Sequence, residues 1–227
     1  MHIFCDFDGT VSSSDATDQV LEKFAEGHWR EIEDDWSRGI IGSRECMQRQ
    51  IALIRATLPE LNSFLDTISI DLGFRGFLSF CRSNALPLTI VSDGVDYFIK
   101  RILKTHQISG LPIMANVLNF SKEDDRDIFA LSSPHASDMC LSASGVCKCK
   151  VVEQAETRIY IGDGRSDFCV SDKVDIVFAK DRLADYCRNQ EIPFIRFDGF
   201  TDLLPKMRSL LPVSEKAIPA WLQSQAL

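Results

Sequence analysis

Three short apolar runs, His2–Cys5, Leu88–Val91 and Arg158–Ile161, each stop at a loop rich in aspartate, serine and glycine, with helical patterns between them. Runs of this length bounded by turn signals suit strands buried on both faces, which is the pattern of a parallel sheet. Strands alternating with helices predict a doubly wound, Rossmann-like α/β fold, in which ligands gather at the carboxyl ends of the strands. The residues that can carry chemistry sit at those ends.

The first loop is Asp6-Phe7-Asp8-Gly9-Thr10. If the strand continues through it, side-chain alternation points Asp6 and Asp8 to one side. Two carboxylates sharing a small site repel unless a cation separates them, and a hard divalent ion such as Mg2+ takes oxygen ligands of this kind. Gly9 permits a sharp turn, and Thr10 offers a hydroxyl and a backbone N–H nearby. The second loop, Ser92-Asp93-Gly94, brings a hydroxyl and backbone amides suited to an anion. The third, Gly162-Asp163-Gly164-Arg165-Ser166-Asp167, adds two more carboxylates, and Lys148 and Lys150 stand ahead of it as sources of positive charge.

With these motifs in order, the chain resembles the haloacid dehalogenase superfamily of phosphatases over nearly its whole length. DFDGT at 6–10, VSDG at 91–94, the lysine at 148 and GDGRSD at 162–167 look like the four family motifs. The resemblance implies Asp6 as nucleophile, Asp8 as general acid and base, Ser92 and Lys148 as phosphate ligands, and Asp163 and Asp167 as metal-site acids. Lys150 shares a face with Lys148 only if the segment is extended, and Gly145-Val146-Cys147 before Lys148 resembles the family arrangement. The nearer likeness is to the branch holding phosphoserine phosphatase, the methionine-salvage phosphatase and the phosphoethanolamine/phosphocholine phosphatases. GVCK, VSDGVDYFI and AWLQ (220–223) look most like the methionine-salvage members. Their substrate, 2-hydroxy-3-keto-5-methylthiopentenyl-1-phosphate, is therefore the expected one. A phosphoserine or phosphocholine/phosphoethanolamine phosphatase is the alternative, with a phosphotransferase or mutase behind it.

Charge balance agrees with a phosphatase. Asp6, Asp8, Asp163 and Asp167 bring four negative charges, and a phosphate monoester brings about 1.5 to 2 more. Mg2+ and Lys148 together supply enough positive charge to make such an anion bindable. An unperturbed aspartate, with a pKa of about 3.9, is ionised and able to attack phosphorus at neutral pH.

With 227 residues, 45% of them hydrophobic, the chain can hold one main domain and an inserted cap. Net charge of -8 speaks against nucleic-acid binding. No apolar run reaches the length of a membrane span, and strand and motif fill residues 1–10, so no secretory leader is expected. A cytoplasmic monomer or homodimer acting on a small phosphorylated metabolite follows. Its eight cysteines show no regular framework spacing and read as free thiols.

The expected division is a catalytic core at 1–14 and 74–227, with a helical cap at 15–73. Within the cap, Val20, Leu21 and Phe24 form one apolar stripe, and Met47, Ile51, Ile54 and Leu58 another. Strands are also expected at 175–178 and 193–197, and a polar hairpin tip at 123–127. Substrate selection should lie in the cap. Asp15 stands where phosphoserine phosphatases have a substrate-binding glutamate, and Gln50 where they have an arginine; Arg49 beside it fits the methionine-salvage pattern and is a candidate substrate contact. His135, Cys140, Cys147 and Cys149 match the ligand count of a zinc site, but their irregular spacing favours free thiols, with a disulfide as the third possibility.

Overall fold

The computed structural model describes residues 1–124 and 126–211; the AWLQ segment at 220–223 lies outside them. Chain order runs β1 (His2–Cys5), α1 (Ala16–Phe24), α2 (Trp29–Ser37), α3 (Ser43–Ile51), α4 (Leu58–Leu65) and α5 (Phe74–Ser83). It continues through β2 (Leu88–Val95), α6 (Asp96–Thr105), β3 (Ile113–Glu123), β4 (Arg126–Ser132), α7 (Lys148–Val152) and β5 (Arg158–Gly162). A 3-10 turn (Arg165–Asp167), β6 (Ile176–Ala179), α8 (Asp181–Asn189), β7 (Ile195–Arg196) and α9 (Phe200–Leu210) complete it.

One sheet has the order β4-β3-β2-β1-β5-β6-β7 and is parallel except for the β3–β4 hairpin at its edge. Central β1 pairs Ile3 with Leu88 on one side and Ile159 on the other. Its residues alternate between two cores, as a strand covered on both faces requires. Ile3 and Cys5 join Phe74, Phe77, Phe98 and Phe200, so α5, α6 and α9 cover that face. Phe4 joins Val152 and Tyr160 beneath α7, and α8 packs on Val177 and Ala179. The chain winds outward from β1 to β2 and β3, then returns to β5, β6 and β7, which puts the topological switch point at the carboxyl end of β1.

Helices α1 to α4 all fall between β1 and α5. The segment leaves and returns side by side: Asp71 N–H donates to Val11 O (2.8 Å) and Ser13 N–H to Ser69 O (3.1 Å). Asp15 caps α1 by accepting from Asp18 N–H at 2.9 Å, and a Thr57/Glu60 capping box starts α4. The Met47 to Leu58 stripe is broken, not continuous. Helix α3 ends at Ile51, Ile54 bridges to Ala25, and Leu58 opens a new helix before Pro59. Small offsets also appear at the strands, since β6 starts at Ile176 and β7 keeps only Ile195–Arg196 of the expected 193–197.

Candidate active site

Strand β1 ends at Cys5, and the next four residues turn through Gly9 at φ +70°. The period-two argument therefore stops before Asp8. Asp6, 4% exposed, accepts from the Phe7 N–H at 2.8 Å and has its other oxygen 3.0 Å from Lys148 Nζ. Asp8 turns away toward the inserted helices, accepting from Ala16 N–H (2.8 Å) at the start of α1 and from Ser92 Oγ (3.4 Å). The side chain of Asp8 is not one of the clustered carboxylates among the described residues. The N–H groups of Asp8 and Gly9 donate to no acceptor among the described residues.

Among the described residues, Asp6, Asp163 and Asp167 are the acids whose oxygens come within 4.8 Å of one another. Thr10 Oγ1 donates to Asp163 Oδ1 at 2.5 Å. A side chain at Gly9 would collide with the other oxygen of Asp163, so the glycine serves close approach as well as the turn. Asp167 is fully occupied: Oδ1 accepts from Lys148 Nζ (2.6 Å) and Tyr160 OH (2.5 Å), and Oδ2 from the N–H groups of Asp163 (3.0 Å) and Gly164 (3.1 Å). Asp6 and Asp163 retain oxygens for a cation, while the oxygens of Asp167 in the same cluster also accept from the lysine, the tyrosine and two N–H groups.

Lys148 is 1% exposed and also donates to Ser166 Oγ at 3.0 Å, whereas Lys150 is exposed. The segment is helical there, which rotates the two lysines apart. At the end of β2, Ser92 Oγ accepts from Gly94 N–H at 3.0 Å and reaches toward Asp8. Asp93 and Gly94 line the cleft beside Ser92, and the groups of Thr10, Asp93 and Gly94 also make internal hydrogen bonds. Thr10 N–H goes to Phe7 O and its hydroxyl to Asp163. The Asp93 carboxylate accepts from Ser43 Oγ, from Val146 N–H (3.0 Å) and from Asn116 Nδ2 (3.4 Å), joining the inserted helices, β3 and the lysine segment. Sequence reading missed Asn116, Tyr160 and Ser43, which carry no motif; for Asn116 and Tyr160 a buried polar residue on a largely apolar strand is the available signal, and Ser43 at the start of α3 has none.

Burial pushes the carboxyls of Asp6 and Asp8 well above the ordinary carboxylate range, helped by Asp167 at Asp6 and by Asp15 at Asp8. Asp163 rises to about 6, through burial and then the charge of Asp167. Burial opposes the charge of Asp167 too, yet Lys148 and the converging donors hold it below the usual value. An acid cluster that wants protons in the absence of a cation is the donor set of a hard divalent ion. A pH effect follows. Carboxyls raised from 3.8 to about 6 at Asp163 and about 7 at Asp18 give the folded chain extra protons, so their stabilisation is present at low pH and lost as pH rises through those values. His2, held below 6.5, and Cys169, lowered from 9.0 to about 7, work the other way, against the larger set of raised carboxyls. Metal-free protein should melt at a higher temperature near pH ~5 than near pH ~8, and a divalent cation should narrow the difference. A metal-free melting temperature that climbs across that interval would contradict the electrostatics.

These residues open into a cleft of about 330 Å³ between the inserted helices and the sheet edge, with Trp36, Cys46, Met47 and Gln50 among its walls. Arg49 is not there. It is exposed on α3, beside Glu45 one turn back at 3.5 Å, and the buried face of that helix presents Cys46 and Gln50 instead. The His135, Cys140, Cys147 and Cys149 group does not gather as a metal site among the described residues. All eight cysteines are free, and the Cys149 thiol donates to the Cys169 carbonyl at 3.0 Å.

The sequence profile of the Putative Phosphatase family matches residues 1–184. The chain is 31% identical to the 2-hydroxy-3-keto-5-methylthiopentenyl-1-phosphate phosphatase of Exiguobacterium sp., over 92% of this chain and 98% of the relative. It is 32% identical to the enzyme of the same name from Bacillus velezensis, over 98% and 94%. Among solved structures, a phospho-aspartyl intermediate analogue of phosphoserine phosphatase is similar with TM-score 0.65 at 14% identity, over 92% of this chain and 98% of that one. A haloacid dehalogenase family hydrolase from Salmonella enterica gives 0.68 at 18% identity, over 92% and 71%; these two speak for the fold.

Proposed function

We propose, from the premise that this chain belongs to the Putative Phosphatase family of haloacid dehalogenase-type hydrolases, that it hydrolyses a small phosphate monoester through an acyl phosphate on Asp6. The observation that carries this reading is the buried Asp6 carboxylate held 3.0 Å from Lys148 at the switch point, beside Asp8 and Asp163.

In the first half-reaction an Asp6 oxygen forms a bond to phosphorus while the ester P–O bond breaks. Asp8, whose carboxyl burial raises above the ordinary carboxylate range, gives a proton to the departing alkoxide. In the second half-reaction, Asp8 takes a proton from the water that attacks phosphorus, the bond to Asp6 breaks, and inorganic phosphate leaves. Ser92 Oγ, Lys148 Nζ and the N–H groups of Asp8 and Gly9 are the donors available to the phosphoryl oxygens. Asp167 and Tyr160 hold Lys148 and its partners in place. Asp6 and Asp163 would hold Mg2+, which when bound supplies positive charge against the phosphoryl oxygens.

The helices of residues 15–73 act as the cap, and their linkers at 11–13 and 69–71 are its joint to the core. For the substrate, the names of the curated relatives support the enol phosphate of methionine salvage. Trp36, Met47 and Cys46 give the cleft an apolar wall that suits a methylthio tail. Gln50 at the clasp position, with no arginine on the cleft side of α3, weighs against phosphoserine. A cytoplasmic location fits such a metabolite.

Exhaustive chelation is expected to abolish phosphate release and Mg2+ to restore it. Ca2+, which accepts more oxygens at longer distance, should draw both oxygens of Asp6 into coordination and restore little. Phosphate release measured after chelation and re-addition decides; undiminished activity without metal would sink the reading.

A further inference from the structure

Two thiols stand directly behind the Lys148–Asp167 ion pair, and phosphoryl transfer uses neither. Cys149 follows Lys148 on α7, and Cys169 lies two residues beyond Asp167, in a turn where the N–H groups of Val170 and Ser171 donate to Asp167 O (3.2 Å each). Their side chains meet. Cys149 Sγ is 3.0 Å from the carbonyl oxygen of Cys169, and the two thiols are also in hydrogen-bond contact with each other. Both residues are partly open to solvent, whereas Cys5, Cys46, Cys81 and Cys187 are buried elsewhere. Cys140 and Cys147 make a similar contact, but Cys147 is buried.

A disulfide needs its sulfurs about 2.05 Å apart, closer than two thiols in contact. Joining these two therefore draws α7 and the turn after Asp167 toward each other. Each carries one end of the 2.6 Å Lys148–Asp167 pair, and Lys148 also reaches the nucleophile Asp6 at 3.0 Å. With Lys148 1% and Asp167 0% exposed, the packing leaves no slack to absorb such a shift.

We propose that Cys149 and Cys169 form an oxidation site, at which a peroxide joins the two sulfurs and so slows the enzyme until a thiol reductant reopens the bond. The site itself goes beyond the phosphatase reading; its effect on turnover rests on that reading. Hydrogen peroxide converts one thiol to a sulfenic acid as its O–O bond breaks and a water leaves. The second thiol then attacks the sulfenic sulfur, the S–O bond breaks, and a second water leaves. Two thiols and one peroxide thus give one disulfide and two waters, the sulfurs losing the two electrons that the peroxide gains. A reversible, redox-sensing bond is the kind that suits a reducing compartment.

The test exposes unmodified, reductant-free protein to hydrogen peroxide, blocks the remaining thiols, and maps disulfides by mass spectrometry of unreduced peptides. Phosphate release from p-nitrophenyl phosphate with Mg2+ is followed in parallel. A peptide pair joined through Cys149 and Cys169 is expected, with turnover falling roughly tenfold or more as the bond forms and returning with dithiothreitol. Cys149→Ser and Cys169→Ser proteins should each match the parent before oxidation and lose the part of the peroxide effect that dithiothreitol reverses; either variant suffices if the other does not fold. No turnover by the reduced protein would count against the phosphatase reading, and the mapping would then decide the oxidation site alone. Absence of a Cys149–Cys169 bond, full turnover with that bond formed, or an undiminished reversible effect in the serine variants would overturn the proposal.

Discussion

Replacing Asp6 by asparagine is expected to lower kcat by roughly four orders of magnitude or more, because the variant keeps the shape of the side chain but loses the nucleophile. The fold should survive. The amide that replaces the carboxylate keeps an oxygen for the Phe7 N–H, and removing one negative charge relieves repulsion with Asp163 and Asp167. Thermal denaturation in chelator should therefore show the Asp6→Asn protein at least as stable as the parent, while phosphate release is lost. Substantial turnover by a folded Asp6→Asn protein would remove Asp6 from the chemistry.

Lys148→Ala should be the most destabilising single change in the site, by about 3–5 kcal/mol near neutral pH. Its ammonium meets Asp6, Asp167 and Ser166 with 1% of the residue exposed, so truncation strands two buried carboxylates. Those carboxylates can take up protons, and the loss should diminish as pH falls. Lys150, exposed on the same short helix, is the control: its alanine variant should stay within about 0.5 kcal/mol of the parent. Denaturant unfolding of both variants in chelator checks the contrast. Equal stability of the Lys148→Ala protein and the parent would mean that the buried ion pairs do not form.

The architecture was legible because the strands announce themselves. Apolar runs such as Arg158–Ile161 end at glycine and aspartate, and such a pattern has few folded solutions. The order of the four motifs then brought Asp6, Ser92, Lys148 and Asp163 to one edge. What could not be read was how each polar group is spent. Asp8, Thr10, Gly94 and Asp167 carry the right chemistry in the right loops, yet whether an oxygen faces a ligand or a neighbouring N–H depends on distances of a few tenths of an ångström. The strand's early end at Cys5 sends Asp8 to Ala16, and no pattern in the residues signals it.

The same limit explains the cap. Helical periodicity marks the apolar face of α3 but not which of two adjacent polar residues joins it. Arg49 resembles a substrate contact by type, and one residue along a helix is a rotation of about 100 degrees. Gln50 took the buried place.

The central claim is that phosphate passes through a covalent bond to Asp6. Unmodified protein mixed with radiolabelled phosphate ester and Mg2+, quenched in acid within the first turnover and digested, should carry its label on the peptide containing Asp6, as an acyl phosphate that hydroxylamine releases. Phosphate release without any label on Asp6, or label on another side chain, would contradict the account.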